Sequence, residues 1–108
     1  MNVNNIKQAV AELKQVLTEH FGQEIEVYVF GSVARNDHRS DSDIDVLVLL
    51  PGIVNHALAG EVIDLAYPFE LEYDVVFGIV VYSKDFWASE KARVMPFFQN
   101  VQREALRI

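Results

Sequence analysis

Residues 44–50 read Ile-Asp-Val-Leu-Val-Leu-Leu, and the run stops at Pro51-Gly52. Aliphatic runs of this length, without regular alternation, fit a central strand covered on both faces rather than one that wets a side. The chain must therefore supply apolar layers above and below this strand. With 108 residues, 51% of them hydrophobic, it has enough material for one such core. We expect a single domain over residues 1–108.

The elements around that strand follow from spacing. Ile6, Val10, Leu13, Val16, Leu17 and Phe21 recur three or four residues apart, which predicts an amphipathic helix over 5–21 with Gly22 as its C-cap. In 25–30, Ile25, Val27 and Val29 alternate with Glu26, Tyr28 and Phe30, the pattern of a strand with β-branched residues inward. Gly31-Ser32 ends it, and Ser32 stands where it can cap a short following helix. Residues 36–42 carry no apolar side chain and read as a loop. Leu58, Val62 and Leu65 predict a helix over 54–66, and a third strand is expected over 71–77, with an extension through Gly78 into 79–82 left open. Ser83 is placed to cap a helix from Lys84, and Pro96 suits the first turn of a last helix. The fold class is α/β (α+β): a small mixed sheet of three to four strands with helices packed on it.

Sixteen acidic residues against nine basic ones leave a formal charge of −7, a field that repels phosphate backbones. No stable nucleic-acid binding is expected. There is no cysteine, so disulfides, thiolate metal sites and a Cys nucleophile are excluded. The N-terminal residues lack a basic and then apolar leader pattern, and no run of about 18 apolar residues exists to span a membrane. We expect a cytoplasmic protein.

The chemistry concentrates in residues 30–46, Phe-Gly-Ser-Val-Ala-Arg-Asn-Asp-His-Arg-Ser-Asp-Ser-Asp-Ile-Asp-Val. A Gly-Ser pair leaving a strand offers backbone N–H groups and a hydroxyl to an anion. Ten residues further on, Asp43 and Asp45 open the aliphatic strand. Residues i and i+2 of a strand share a face about 6.5–7 Å apart, so Ile44 points inward while the two carboxylates stand together. Like charges at 4 Å repel by about 4 kcal/mol at an effective dielectric of 20, and a divalent cation offsets that directly. Hard oxygen donors suit Mg²⁺ or Mn²⁺. Asp74, placed in the expected third strand, would meet the pair if the two strands are neighbours, with Asp64 of the preceding helix as its rival. Three acids around two metal ions serve phosphoryl and nucleotidyl transfer. Gly31 and Ser32 would then hold a triphosphate, and Arg35 would neutralise its charge.

Gly31-Ser32, the Asp43-x-Asp45 pair and a later strand Asp resemble the signature of the DNA polymerase beta superfamily of nucleotidyltransferases. The Gly-Ser-Val-Ala-Arg and Asp-Ser-Asp-Ile-Asp wording and the stretch from Val81 to Ile108 resemble its minimal nucleotidyltransferase (MNT) subfamily. That resemblance implies a polymerase-beta-like fold, ATP as substrate and two Mg²⁺ ions held by Asp43, Asp45 and Asp74. It implies nucleotide contacts from Gly31, Ser32, Arg35 and Ser42, and Asp74 as general base. It also implies a HEPN-family RNase toxin as partner in a hetero-oligomer, silenced when a tyrosine of it receives AMP. Asn36 departs from the glycine common after the Arg in such sequences, and Asn tolerates a left-handed backbone.

Other residues have simpler readings. Asp37 and Asp41 suit a polar loop, Arg39 a surface ion pair, and His20, His38 and His56 are not spaced as metal ligands. Phe86, Trp87, Phe97 and Phe98 read as core or interface, with one of Phe97 and Phe98 expected against a partner. The alternative to an enzyme is a binding module that neutralises its partner by stoichiometric docking.

Overall fold

A computed structural model of the chain describes residues 3–35 and 43–108. Along the sequence run α1 (Val3–Phe21), β1 (Glu26–Phe30), β2 (Ile44–Leu50), α2 (His56–Tyr73), β3 (Phe77–Ser83), α3 (Lys84–Trp87), α4 (Glu90–Arg93), α5 (Pro96–Glu104) and β4 (Leu106–Arg107). The strands form one mixed sheet in the order β3-β2-β1-β4. β1 lies antiparallel to both β2 and β4, and β2 lies parallel to β3.

The aliphatic run is the central strand its composition demands. Alternation along β2 divides its side chains between two apolar clusters. Ile44, Val46, Val48 and Leu50 face α1 and α2 together with Val27 and Val29 of β1. Leu47 and Leu49 face the other way, onto Trp87 and Val101. Each buried Leu or Val side chain contributes about 1.5–3 kcal/mol, so both layers are tied to this one strand.

The first helix ends at Gly22, whose φ of +101° suits a residue without a β-carbon and whose N–H donates to the Thr18 carbonyl at 2.8 Å. After the central strand, Asn55 caps α2 by accepting from the Leu58 N–H at 2.8 Å. Here the structure departs from the expected end at residue 66. The helix continues through Pro68 to Tyr73 because Phe69 and Tyr73 pack on the first cluster, outweighing the N–H that proline lacks. The expected strand over 71–77 is thereby displaced: residues 71–73 are helical and β3 begins at Phe77.

Ser83 caps α3 as expected, accepting from the Phe86 N–H at 3.0 Å, but that helix has four residues, and Ser89 caps a further short one, α4. Phe97 and Phe98 are both half-buried and both meet Trp87, at ring-centroid distances of 6.0 and 4.7 Å. Both therefore pack on the second cluster while staying partly exposed. His20 and His56 lie exposed on α1 and α2. Among the described residues, no helix is long and apolar enough to cross a membrane.

Glu26 ties β1 to α3 at the surface. Tyr28 donates its hydroxyl to Glu26 at 2.5 Å, and Lys84 of α3 lies 3.4 Å from the same carboxylate. The Tyr28 hydroxyl and the Lys84 ammonium hold the Glu26 carboxyl below its ordinary value of 4.5. A lowered carboxyl pKa adds stability that is present above the unfolded value and disappears as pH falls through the folded one. Glu26→Gln should cost about 0.5–1 kcal/mol near neutral pH. In urea denaturation that difference should shrink as pH drops below 4.5.

Candidate active site

Asp43 and Asp45 sit at the entrance to β2, on the same side of the strand as Leu47 and Leu49 and therefore on the α3–α5 side of the sheet. Asp43 is exposed and Asp45 half-buried. The antiparallel register sets Asp45 opposite Phe30, the last residue of β1, so the chain leaving β1 turns directly beside the carboxylate. That turn is Gly31 to Arg35. Among the described residues, 31–35 form a turn rather than the start of the expected helix, closed by the Arg35 N–H donating to the Gly31 carbonyl at 3.0 Å.

Gly31 is required here twice over. Its φ of +72° lies in the left-handed region, and a β-carbon built on it would overlap Asp45 Oδ2. On the other side of the same carboxylate, a β-carbon on Gly78 of β3 would come within 3.2 Å of Asp45 Oδ1 and 3.8 Å of Asp43 Oδ2. The Asp45 carboxylate thus lies in a slot between two glycine backbones, one on each neighbouring strand or turn. Oxygen donors from two neighbouring carboxylates fit Mg²⁺, which takes one or two carboxylates and completes its shell with water and substrate phosphates.

The third expected carboxylate does not join this pair. Asp74 is the C-cap of α2, exposed, with a left-handed φ of +53°. The residue that β3 sets opposite Asp45 is Gly78. Because α2 runs on to Tyr73 on the α1 side of the sheet, Asp74 is spent on ending the helix rather than on opening a strand. Asp64, the rival, is exposed in the middle of α2. Among the described residues, no three His, Cys, Asp or Glu side chains gather as a metal-holding group. Ser42, with Asn36, Asp37, His38, Arg39 and Asp41, lies outside the described residues.

One residue of the site escapes sequence reasoning altogether. Glu104, the last residue of α5, accepts the Gly31 N–H at 3.1 Å. It also accepts from Arg35 Nη1, at 3.4 Å on one oxygen and 3.3 Å on the other. Its side chain is only 17% exposed. No local pattern announces it, since it acts across 73 residues of sequence. The signal that finds it is strand pairing. β4 sets Leu106 against Val29 and Arg107 against Tyr28, and the same register carried two steps back places Glu104 against Gly31.

A family model described as a nucleotidyltransferase domain matches residues 10–102. Two proteins of Methanocaldococcus jannaschii, provisionally named protein adenylyltransferases MJ0141 and MJ0604, are similar. The first is 29% identical over 73% of this chain and 77% of its own length, the second 33% identical over 93% and 94%. Among solved structures, one described provisionally as a minimal nucleotidyltransferase superposes with a TM-score of 0.66 at 24% identity, covering 100% of this chain and 97% of its own. A toxin–antitoxin structure with AMP-PNP superposes with a TM-score of 0.60 at 18% identity, covering 93% of this chain and 69% of that one. An MntA-HpeT toxin–antitoxin mutant also gives 0.60 at 18%, over 92% and 70%. At these identities the superpositions establish the fold.

Gly31→Ala is the sharpest probe of the slot. A left-handed backbone costs a residue with a β-carbon about 1–2 kcal/mol, and the new methyl must push the Asp45 carboxylate aside. Thermal melting should fall by that modest amount, whereas binding of Mg²⁺-ATP, followed by isothermal titration calorimetry, should weaken by at least about tenfold.

Proposed function

Because the chain belongs to the nucleotidyltransferase domain family, we propose that it transfers AMP from ATP, with Mg²⁺, to a tyrosine of a HEPN-family RNase toxin and so acts as its antitoxin. The observation that carries this reading is the Asp45 slot: two carboxylates on one strand face, pressed against the turn that would receive a triphosphate. The names of the M. jannaschii relatives support a protein as acceptor, and the AMP-PNP and MntA-HpeT structures support a nucleotide and a toxin as partners.

In this reaction an acceptor hydroxyl oxygen attacks the α-phosphorus of ATP, its proton passes to water, the bond to the bridging oxygen breaks, and pyrophosphate leaves. Asp43 and Asp45 would hold Mg²⁺, which when bound neutralises charge on the phosphates. The Gly31–Ser32 turn would hold the triphosphate beside these carboxylates. Arg35, one turn on, offsets the charge gathered on the leaving pyrophosphate. Asp43 is the more exposed of the pair.

A second reading is favoured by Gly78. Where β3 passes Asp45 it presents no side chain, and two carboxylates rather than three among the described residues fit an antitoxin that works by docking alone. The two readings separate in one assay. The chain, α-labelled ATP, Mg²⁺ and a candidate HEPN-family RNase are combined, and label is sought on the RNase. Asp43→Asn with Asp45→Asn should lower labelling by at least about 100-fold. Asp74→Asn should leave it within about threefold, since Asp74 caps a helix. A double variant that silences the partner as well as the unaltered chain does decides for docking.

A further inference from the structure

The Gly31–Arg35 turn is held from outside by a residue that neither β1 nor β2 supplies. We propose that Glu104 is a positioning residue for the nucleotide: it clamps the first and last residues of the phosphate-binding turn, so that the end of α5 sets the affinity for the triphosphate. This rests on the nucleotidyltransferase reading given above.

The geometry argues for a clamp. The turn closes on itself through a backbone bond from the Arg35 N–H to the Gly31 carbonyl. Glu104 adds a second closure on the opposite polarity of the same residue, taking the Gly31 N–H on one oxygen while both oxygens engage the Arg35 guanidinium. Gly31 is the most conformationally free residue type, in a region of φ where no β-carbon restrains it, so an external anchor decides which of its conformations persists. A carboxylate bonded to N–H donors is a charge-assisted acceptor and holds its donors more firmly than a neutral one. The carboxylate itself is well placed to act as an anchor. Its residue closes α5, whose Val101 is buried beside Trp87, and precedes β4 by a single residue, so both flanks are pinned.

A clamp and a mere plug make opposite predictions. A carboxylate that only blocked an anion site would, once removed, leave ATP bound more tightly. A clamp, once removed, leaves it bound more weakly. The amide of Gln keeps an oxygen for the Gly31 N–H and so should preserve the turn, whereas Ala removes it.

Two readouts are needed. The first is binding of the fluorescent nucleotide mant-ATP with Mg²⁺: Glu104→Ala should raise its dissociation constant about tenfold, and Glu104→Gln should stay within about threefold of the unaltered chain. The second is amide hydrogen exchange without nucleotide, where the Gly31 N–H should exchange about tenfold faster or more in Glu104→Ala while the Val48 amide in the central strand keeps its rate. Should the Ala variant fail to fold, Glu104→Asp, whose shorter side chain falls away from Gly31, replaces it with the same expectations. Binding as tight as or tighter than in the unaltered chain, or a Gln variant no better than Ala, overturns the proposal. If the unaltered chain binds no mant-ATP, the nucleotidyltransferase reading of this site fails, and Gly31 exchange alone then decides whether Glu104 clamps the turn.

Discussion

Burial of β2 on both faces is the constraint from which the rest of the molecule follows. A strand with apolar side chains on both sides cannot exist at the rim of a sheet or on a wet surface. It requires a neighbour on each edge, which β1 and β3 provide, and a layer on each face, which α1 with α2 and α3 with α5 provide. Leu47 and Leu49 commit the chain's final third to the protein interior as firmly as Val46 and Val48 commit its first. The sheet's mixed direction follows too. β1 and β2 meet antiparallel across the segment carrying the turn, whereas the return to β3 passes through the long helix α2 and arrives parallel.

The site inherits its geometry from this arrangement. Where the hydrophobic run begins, the same alternation that sends Leu47 to the α5 side sends Asp45 and Asp43 there as well. The carboxylates therefore share a face with α5, and Glu104 at the end of that helix reaches the turn beside them. Asp74 belongs to a helix packed on the opposite face, and that position, more than any local feature, keeps it out of the group. The two glycines flanking Asp45 give the carboxylate room that any other side chain would take.

How much of this was legible from sequence depended on the range over which each feature is determined. The β2 run, the Gly22 cap and the Gly31–Asp45 relation depend on neighbours along the chain or on a single strand pair, and all three stood out in the residue pattern. The end of α2 did not. Pro68 is a strong stop signal, and Val75, Val76 and Phe77 look like a strand that might begin several residues sooner. What overrides both is the packing of Phe69 and Tyr73 against a core assembled from distant residues. That error of a few residues was enough to move Asp74 from strand to cap. Glu104 lay further out of reach, because it depends on a strand of two residues, Leu106 and Arg107, too short to leave any periodic trace.

The separation between Gly31 and Glu104 also orders events in time. Contacts between near neighbours, such as the α1 turns and the β1–β2 pair, can form while the rest of the chain is still fluctuating. Closing a loop of 73 residues carries an entropic cost of about 4 kcal/mol, which only a largely assembled sheet can offset. The turn held by Glu104 is thus expected to close late, after β4 has found β1 and α5 has settled on Trp87. A collapsed chain with its core in place would still lack the closed turn beside Asp45, so protection of the Gly31 amide would report a late step of folding rather than an early one.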